Sequence, residues 1–186
     1  ILSLKEQGIV KGTGNGLFAP NAPMTAAQGI QLLVNAFDLN IDNIRFIKAP
    51  KASDYFKKAD DSAWYSDALI VISFSGLELS SDLDPNGKWT REEFTHYLVT
   101  LMEKQGNLPK VKLLPVDIAD ESKMNVVYSG SIRRALLYQV AQLDADRNFR
   151  PKAPITRSEA AVQVYNALEY LKTQPAPPNI SIAPAT

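Results

Sequence analysis

Proline-containing segments that end in threonine recur along this chain at almost equal intervals. Residues 18–25 read FAPNAPMT, residues 149–156 read FRPKAPIT, and residues 83–90 form a weaker copy, LDPNGKWT. We call these the first, third and middle proline–threonine segments. Their closing threonines, spaced 65 and then 66 residues apart, are Thr25, Thr90 and Thr156. A fixed period of this length is typical of repeat architectures, in which each unit buries its apolar face against a neighbour.

Each of these threonines is predicted to begin a helix. Glutamine or glutamate follows three residues later, in the pairs Thr25–Gln28, Thr90–Glu93 and Thr156–Glu159. This spacing is that of a capping box, in which each side chain bonds the backbone amide of the other residue. The prolines upstream exclude a helix before the cap. Apolar residues then recur with helical period at eight, nine and twelve residues past the cap: Leu33, Val34 and Phe37; Leu98, Val99 and Met102; Val164, Tyr165 and Leu168.

A second helix is predicted before each segment. The candidate runs are residues 1–7, which end at Gly8, residues 64–75, which end at Gly76, and residues 128–142. No alternation typical of strands is visible, so the predicted fold is all-α, with three tandem helix–loop–helix units. We place the units at 1–45, 55–105 and 115–173, and we expect the first to be incomplete because the chain opens within a helical pattern. Residues 174–186 contain four prolines and are predicted to form a linker or tail.

Composition excludes several kinds of function. The 20 basic and 20 acidic residues balance, so no bulk field draws the chain to nucleic acid. Without cysteine, and with His96 as its single histidine, it offers no thiol nucleophile or zinc-thiolate site. Residues 144–148 resemble the start of a calcium loop, but Phe149 and Ile155 replace its glycine and bidentate glutamate. We therefore predict no metal, no cofactor and no catalysis. No apolar run approaches the roughly 18 residues of a membrane span.

These motifs together resemble the S-layer homology domain family, in three divergent tandem copies. The family pattern of Gly-Ile-Ile-x-Gly, an Asp/Gly loop and Phe-x-Pro-x-x-Pro-Ile is similar to residues 8–25. Its second helix opens with Thr-Arg-Ala-Glu, which residues 90–93 (TREE) and 156–159 (TRSE) resemble, and its aromatic pair is similar to Trp64 and Tyr65. The resemblance implies a pseudo-threefold, three-pronged spindle with grooves between repeats, formed by one monomeric chain.

The resemblance also implies a function. Members bind, without a covalent bond, a secondary cell wall polysaccharide linked to peptidoglycan, often one that carries pyruvylated N-acetylmannosamine. The motif arginine meets the carboxylate of the pyruvyl ketal, which here points to Arg91 and Arg157. We therefore expect an extracellular protein at the wall of a Gram-positive-type bacterium. The departures from the family motif, including Ala26 at the arginine position of the first copy, leave a second possibility: a scaffold or protein-interaction module that binds no glycan.

The residues themselves give a physical argument for the two arginines. A cation at the first helical position opposes the positive end of the helix dipole, at a cost of about 0.3–1 kcal/mol. A bound carboxylate reverses this cost, because guanidinium and free helix amides then converge on one anion. The alternative is that each arginine pairs with a nearby acid such as Glu92 or Glu159.

Four further residues are candidates for glycan binding. Trp64 could stack on a sugar, although an aromatic residue at a helix start is also typical of a core. Lys11 could provide a polar contact at a groove edge or be a solvated lysine. Gly12 and Gly14 suit a tight turn that allows a sugar close to the backbone.

Overall fold

A computed structural model describes residues 2–10, 19–108 and 115–174. Within these ranges the fold is all-α, as predicted, with six α-helices, two short 3₁₀ turns and no strand. The helices are α1 (Leu2–Glu6), α2 (Ala26–Ala36), α3 (Ser66–Ser73), α4 (Arg91–Gln105), α5 (Val126–Leu137) and α6 (Arg157–Lys172). The candidate residues Lys11, Gly12 and Gly14, and almost all of the tail, lie outside the described residues.

All three capping boxes are confirmed. The amides of Gln28, Glu93 and Glu159 donate to the threonine hydroxyls at 3.2, 3.3 and 3.2 Å. The threonine amides donate back to the side chains three residues later, at 3.0, 2.8 and 2.9 Å. Helices α2, α4 and α6 therefore start one residue after the predicted threonines.

A residue in the left-handed conformation follows shortly after each helix that precedes a segment. Gly8 and Gly76 have φ of +72° and +77°, as suits the predicted ends of α1 and α3. Helix α5, predicted to reach Gln142, ends instead at Leu137. Gln139 adopts φ +58° there, and the amides of the next two residues return to the carbonyl of Ala135. The prediction was wrong because a glutamine takes the conformation that glycine takes after α1.

The core lies where α4 packs against α5 and α6, and α2 against α3 and α6. Leu33, Leu98 and Val164 of the predicted stripes are fully buried. Tyr165 was predicted to be buried but is 40% exposed. Beside the middle cap, Trp89 contacts Phe94, with ring centroids 6.3 Å apart.

The three proline–threonine segments join through a closed cycle of hydrogen bonds. The Met24 amide donates to the Ile155 carbonyl at 2.9 Å, the Ile155 amide to the Trp89 carbonyl at 3.0 Å, and the Trp89 amide to the Met24 carbonyl at 3.1 Å. Each residue lies directly before a helix cap, so the cycle holds the starts of α2, α4 and α6 together. The three-pronged spindle and the limits of the three repeats stay predictions. No helix of the described ranges combines the length and apolarity that a membrane span requires.

Candidate functional site

The first two amides of each capped helix donate to carbonyls of a different proline–threonine segment from the one that precedes the helix. In α4, the Arg91 amide donates to the Ala153 carbonyl at 2.9 Å and the Glu92 amide to the Pro151 carbonyl at 3.1 Å. In α6, the amides of Arg157 and Ser158 donate at 3.0 and 2.9 Å to carbonyls of the first segment. The third amide of each helix bonds its threonine cap. The expectation that free helix amides would receive a carboxylate is therefore wrong, because neighbouring backbone carbonyls already accept from them.

Arg91 is held at the junction between α4 and the third segment. Its side chain is 8% exposed, and its Nη1 lies 3.1 Å from Glu159 Oε1. Its Nε donates to the Phe149 carbonyl at 2.9 Å, and its guanidinium lies over the Phe149 ring, 5.1 Å from the centroid. Burial lowers the pKa of Arg91 from its usual value, and the charge of Glu159 opposes that shift. The pairing with Glu159 that the sequence offered as an alternative is thus the arrangement found.

Glu159 connects the helix cap to this charge cluster. Its Oε2 accepts from the Thr156 amide, while its Oε1 lies 3.1 Å from Arg91 Nη1 and 3.2 Å from Arg150 Nη2. Burial by itself would raise the pKa of Glu159, but hydrogen bonds from Thr156 and the two arginine charges outweigh it and lower the pKa. Glu159 therefore stays ionised at neutral pH and neutralises part of the local positive charge.

Sequence reasoning missed Arg150. Its side chain is 52% exposed, bonds Glu159 and lies 3.8 Å from Asp144. Arg150 stands at a variable position of the proline–threonine pattern, and no spacing in the sequence links it to Arg91. Only the packing of the third segment against the start of α4 brings the two arginines to one carboxylate.

Arg157 occupies a different junction from Arg91. It begins α6, is half-buried, and its amide bonds the Ala22 carbonyl of the first segment. Burial lowers the pKa of its side chain. The two motif arginines therefore lie against two different segments, Arg91 against the third and Arg157 against the first.

Trp64 belongs to a third location, directly before α3. Trp64 is 63% exposed, and its ring meets the ring of Tyr65 edge-on with centroids 5.6 Å apart. Tyr65 is 4% exposed and packs in the core. Of the aromatic pair, Trp64 thus keeps a face available to solvent, whereas Tyr65 is structural. The aromatic ring that packs against Trp64 among the described residues is that of Tyr65.

A cleft of about 400 Å³ opens beside Arg91. One wall is α6 and the other is the turn after α5. Its polar lining residues are Arg91, Gln142, Ser158, Glu159, Gln163 and Asn166. Its apolar lining residues are Val140, Ala141 and Val162, the last of which is 53% exposed. The cleft therefore offers both hydrogen-bonding groups and an apolar surface.

His96 and Asp144, the first residue of the calcium-like stretch, both form hydrogen bonds within the protein. His96 is half-buried, and its Nδ1 lies 2.8 Å from the Ser131 hydroxyl. Asp144 accepts from the amides of Asp146 and Asn148 at 3.0 and 2.9 Å, which makes the calcium-like stretch a polar turn. Among the described residues no group of three or more histidine, aspartate or glutamate side chains is arranged to hold a metal.

Comparison with known proteins supports the resemblance to S-layer proteins. The model of the S-layer homology domain matches residues 1–28 and 128–161. The whole chain aligns with 15% of a surface-layer 125 kDa protein of Lysinibacillus sphaericus, and 25% of the aligned residues are identical. A stretch that makes up 85% of the chain aligns with 18% of the S-layer protein sap of Bacillus anthracis, at 24% identity. A stretch that makes up 89% of the chain aligns with 9% of an amylopullulanase of Thermoanaerobacterium thermosulfurigenes, at 22% identity.

The chain thus spans less than a fifth of the length of each of these relatives. These matches support an S-layer homology module in this chain. Its arrangement as three copies stays a prediction.

Proposed function

We propose that this chain is a non-catalytic module that attaches an exported bacterial protein to the cell surface by binding an anionic secondary cell wall polysaccharide. The observation that carries the proposal is the match to the S-layer homology domain over residues 1–28 and 128–161. The same stretch aligns to small parts of two S-layer proteins and of an amylopullulanase. A segment shared by proteins with such different names favours a common attachment role over catalysis. The location is then extracellular, at the wall of a Gram-positive-type organism.

The proposed ligand is a pyruvylated polymer linked to peptidoglycan, with its ketal carboxylate on a motif arginine. Arg157 and Arg91 are the two candidates, at separate junctions. Arginine suits this role because its planar donors bind both carboxylate oxygens. At Arg91 the incoming carboxylate must share the guanidinium with Glu159, 3.1 Å away.

The other candidate contacts are Trp64, Lys11, Gly12 and Gly14. Trp64, which is 63% exposed, can stack on a sugar face without leaving its contact with Tyr65. Lys11, Gly12 and Gly14 precede the first segment in sequence and are proposed to border a groove with it. Each of these roles is a proposal of its own and is testable by single substitution.

Isothermal titration with the purified pyruvylated polymer tests the proposal. The wild-type chain is expected to bind, and Arg157→Ala is expected to weaken binding at least about tenfold, the value of one charge-assisted hydrogen bond. Lys57→Ala is the matched control, because it also removes one positive charge but from an exposed pair with Asp82. Equal affinities of Arg157→Ala and Lys57→Ala would refute the site. No binding by the folded wild-type chain would refute the function.

A scaffold role is the second candidate, and one observation favours it. The Arg91 guanidinium already has an acid, a carbonyl and an aromatic ring as partners, which is how a structural arginine is held. A module of this kind would space or display another domain without contacting glycan. Failure of the chain to co-sediment with cell wall sacculi, together with a helical circular dichroism spectrum, is the result expected of a scaffold.

A further inference from the structure

The connector between α2 and α3 carries large apolar side chains that are exposed to solvent. Ile47 is fully exposed, and Ile44, Phe46 and Phe74 are 36–40% exposed. The ring of Phe74, the residue that ends α3, meets the ring of Phe46 edge-on with centroids 5.4 Å apart. We call Ile44, Phe46, Ile47 and Phe74 the connector patch. A group of exposed apolar residues, unlike a single one, is typical of a surface that contacts a partner.

The connector patch is held in place from the protein side. Phe74 also meets the ring of Tyr55, with centroids 5.5 Å apart, and Tyr55 packs against the core. The Ile44 amide donates to the Ile41 carbonyl at 2.9 Å, which closes a turn before the patch. A structured turn therefore presents the apolar side chains, so a partner would not have to supply the free energy of ordering them.

Positive charges lie among these apolar residues. Residues 41–51 contain one acid, Asp42, and three bases, Arg45, Lys48 and Lys51. Arg45 and Lys48 are exposed and directly flank residues 46–47. Among the described residues, no carboxylate lies within ion-pair distance of either one. The local charge is therefore positive, although the chain as a whole is balanced, and it is complementary to an anionic surface.

The size and chemistry of the connector patch favour a lipid surface over a folded protein. Its four side chains expose roughly a few hundred Å², whereas each side of a stable protein interface buries about 800 Å². A lipid surface needs no matching shape, because its acyl chains accept apolar side chains and its anionic headgroups attract nearby cations. Irregular backbone is not tolerated among lipid tails, so such a contact would be shallow.

We propose that the connector patch binds the surface of an anionic lipid bilayer. Phe46 and Ile47 enter the boundary between headgroups and acyl chains, while Arg45 and Lys48 reach the lipid phosphates. For an extracellular protein this surface is the outer face of the cell membrane. The contact is separate from the motif arginines, and it lies in a part of the chain that the S-layer homology model does not match.

Flotation with lipid vesicles tests the proposal. The wild-type chain is expected to float with vesicles of phosphatidylglycerol mixed into phosphatidylcholine, and far less with phosphatidylcholine alone. Ile47→Ser is expected to weaken this binding at least about tenfold, because the inserted apolar side chain is lost. Arg45→Ser/Lys48→Ser is expected to weaken it about 20-fold, roughly fivefold for each cation.

Two variants at other exposed positions are the matched controls. Val126→Ser removes an aliphatic side chain that is also exposed, and Lys123→Ser/Lys172→Ser removes two exposed cations. Both are expected to bind vesicles as the wild type does. Equal flotation with both kinds of vesicle, or wild-type binding in Ile47→Ser or in Arg45→Ser/Lys48→Ser, overturns the proposal. Binding of soluble poly-glutamate that matches vesicle binding and survives Ile47→Ser assigns the patch to an acidic protein partner and also overturns it.

A second measurement follows insertion directly. The chain contains no cysteine, so Ile47→Cys provides a single attachment point for an environment-sensitive fluorescent dye. Its emission is expected to shift to the blue when anionic vesicles are added, whereas the same dye on Val126→Cys is expected to keep its emission. An unmoved signal at position 47 overturns the lipid contact. None of these results depends on polymer binding, so failure here leaves the proposed function standing.

Discussion

Replacing Arg91 by methionine removes a buried cation but keeps most of its aliphatic volume. The Phe149 carbonyl then loses its bond of 2.9 Å from Arg91 Nε, and Glu159 Oε1 loses a partner at 3.1 Å. Breaking a buried ion pair costs about 3–5 kcal/mol. The cost here is expected to lie in the lower half of that range or just below it, because Glu159 keeps Arg150 and the Thr156 amide as partners. We expect the free energy of unfolding to fall by about 2–4 kcal/mol.

Urea unfolding followed by circular dichroism measures this loss, and a thermal scan should show a Tm lowered by about 4–16 °C. Lys57→Met is the control: its pair with Asp82 is exposed, so a change within about 0.5 kcal/mol is expected. Wild-type stability in Arg91→Met would contradict the reasoning. It would mean that the guanidinium contributes nothing to the junction and is fully available to a ligand.

Three other substitutions test the fold. Burial, together with the charge of Arg134, lowers the pKa of His96, so the neutral ring is favoured in the folded state. The free energy of unfolding should therefore fall as the pH drops below about 6.5. Between about pH 7.5 and about pH 5.5, the urea midpoint of His96→Gln should fall less than that of the wild type. Gly29→Ala would place a Cβ 2.5 Å from Trp89 Cε3. The resulting strain of about 1–3 kcal/mol outweighs a helix-propensity gain of about 1 kcal/mol, and differential scanning fluorimetry should show a lower Tm. Gln139→Gly, at φ +58°, should raise stability by about 0.5 kcal/mol in urea unfolding, and a loss would contradict the strain argument.

The candidate site was only partly predictable, and Arg91 shows why. Its type and position after Thr90 identify it as an unusual cation at a helix start. Its partners, Phe149 and Glu159, are 58 and 68 residues away in sequence. From the sequence, Glu159 is only one of two acids that could pair with Arg91, and no pattern in it indicates that Arg150 lies nearby. Gln163 stands in a helix like many glutamines, so nothing in the sequence indicates that it is buried and accepts a hydrogen bond from Thr95 of α4.

The sequence alone determined where α2, α4 and α6 begin, because the interactions that start these helices are local. A capping box involves residues only three apart, and prolines exclude a helix before it, so Thr25, Thr90 and Thr156 act through their immediate neighbours. The tertiary structure alone decided which carbonyls the first amides of these helices reach. It also decided that the segments close a cycle of hydrogen bonds through Met24, Trp89 and Ile155. Those bonds join residues far apart in the chain, and their geometry depends on how the three proline–threonine segments and the helices pack together.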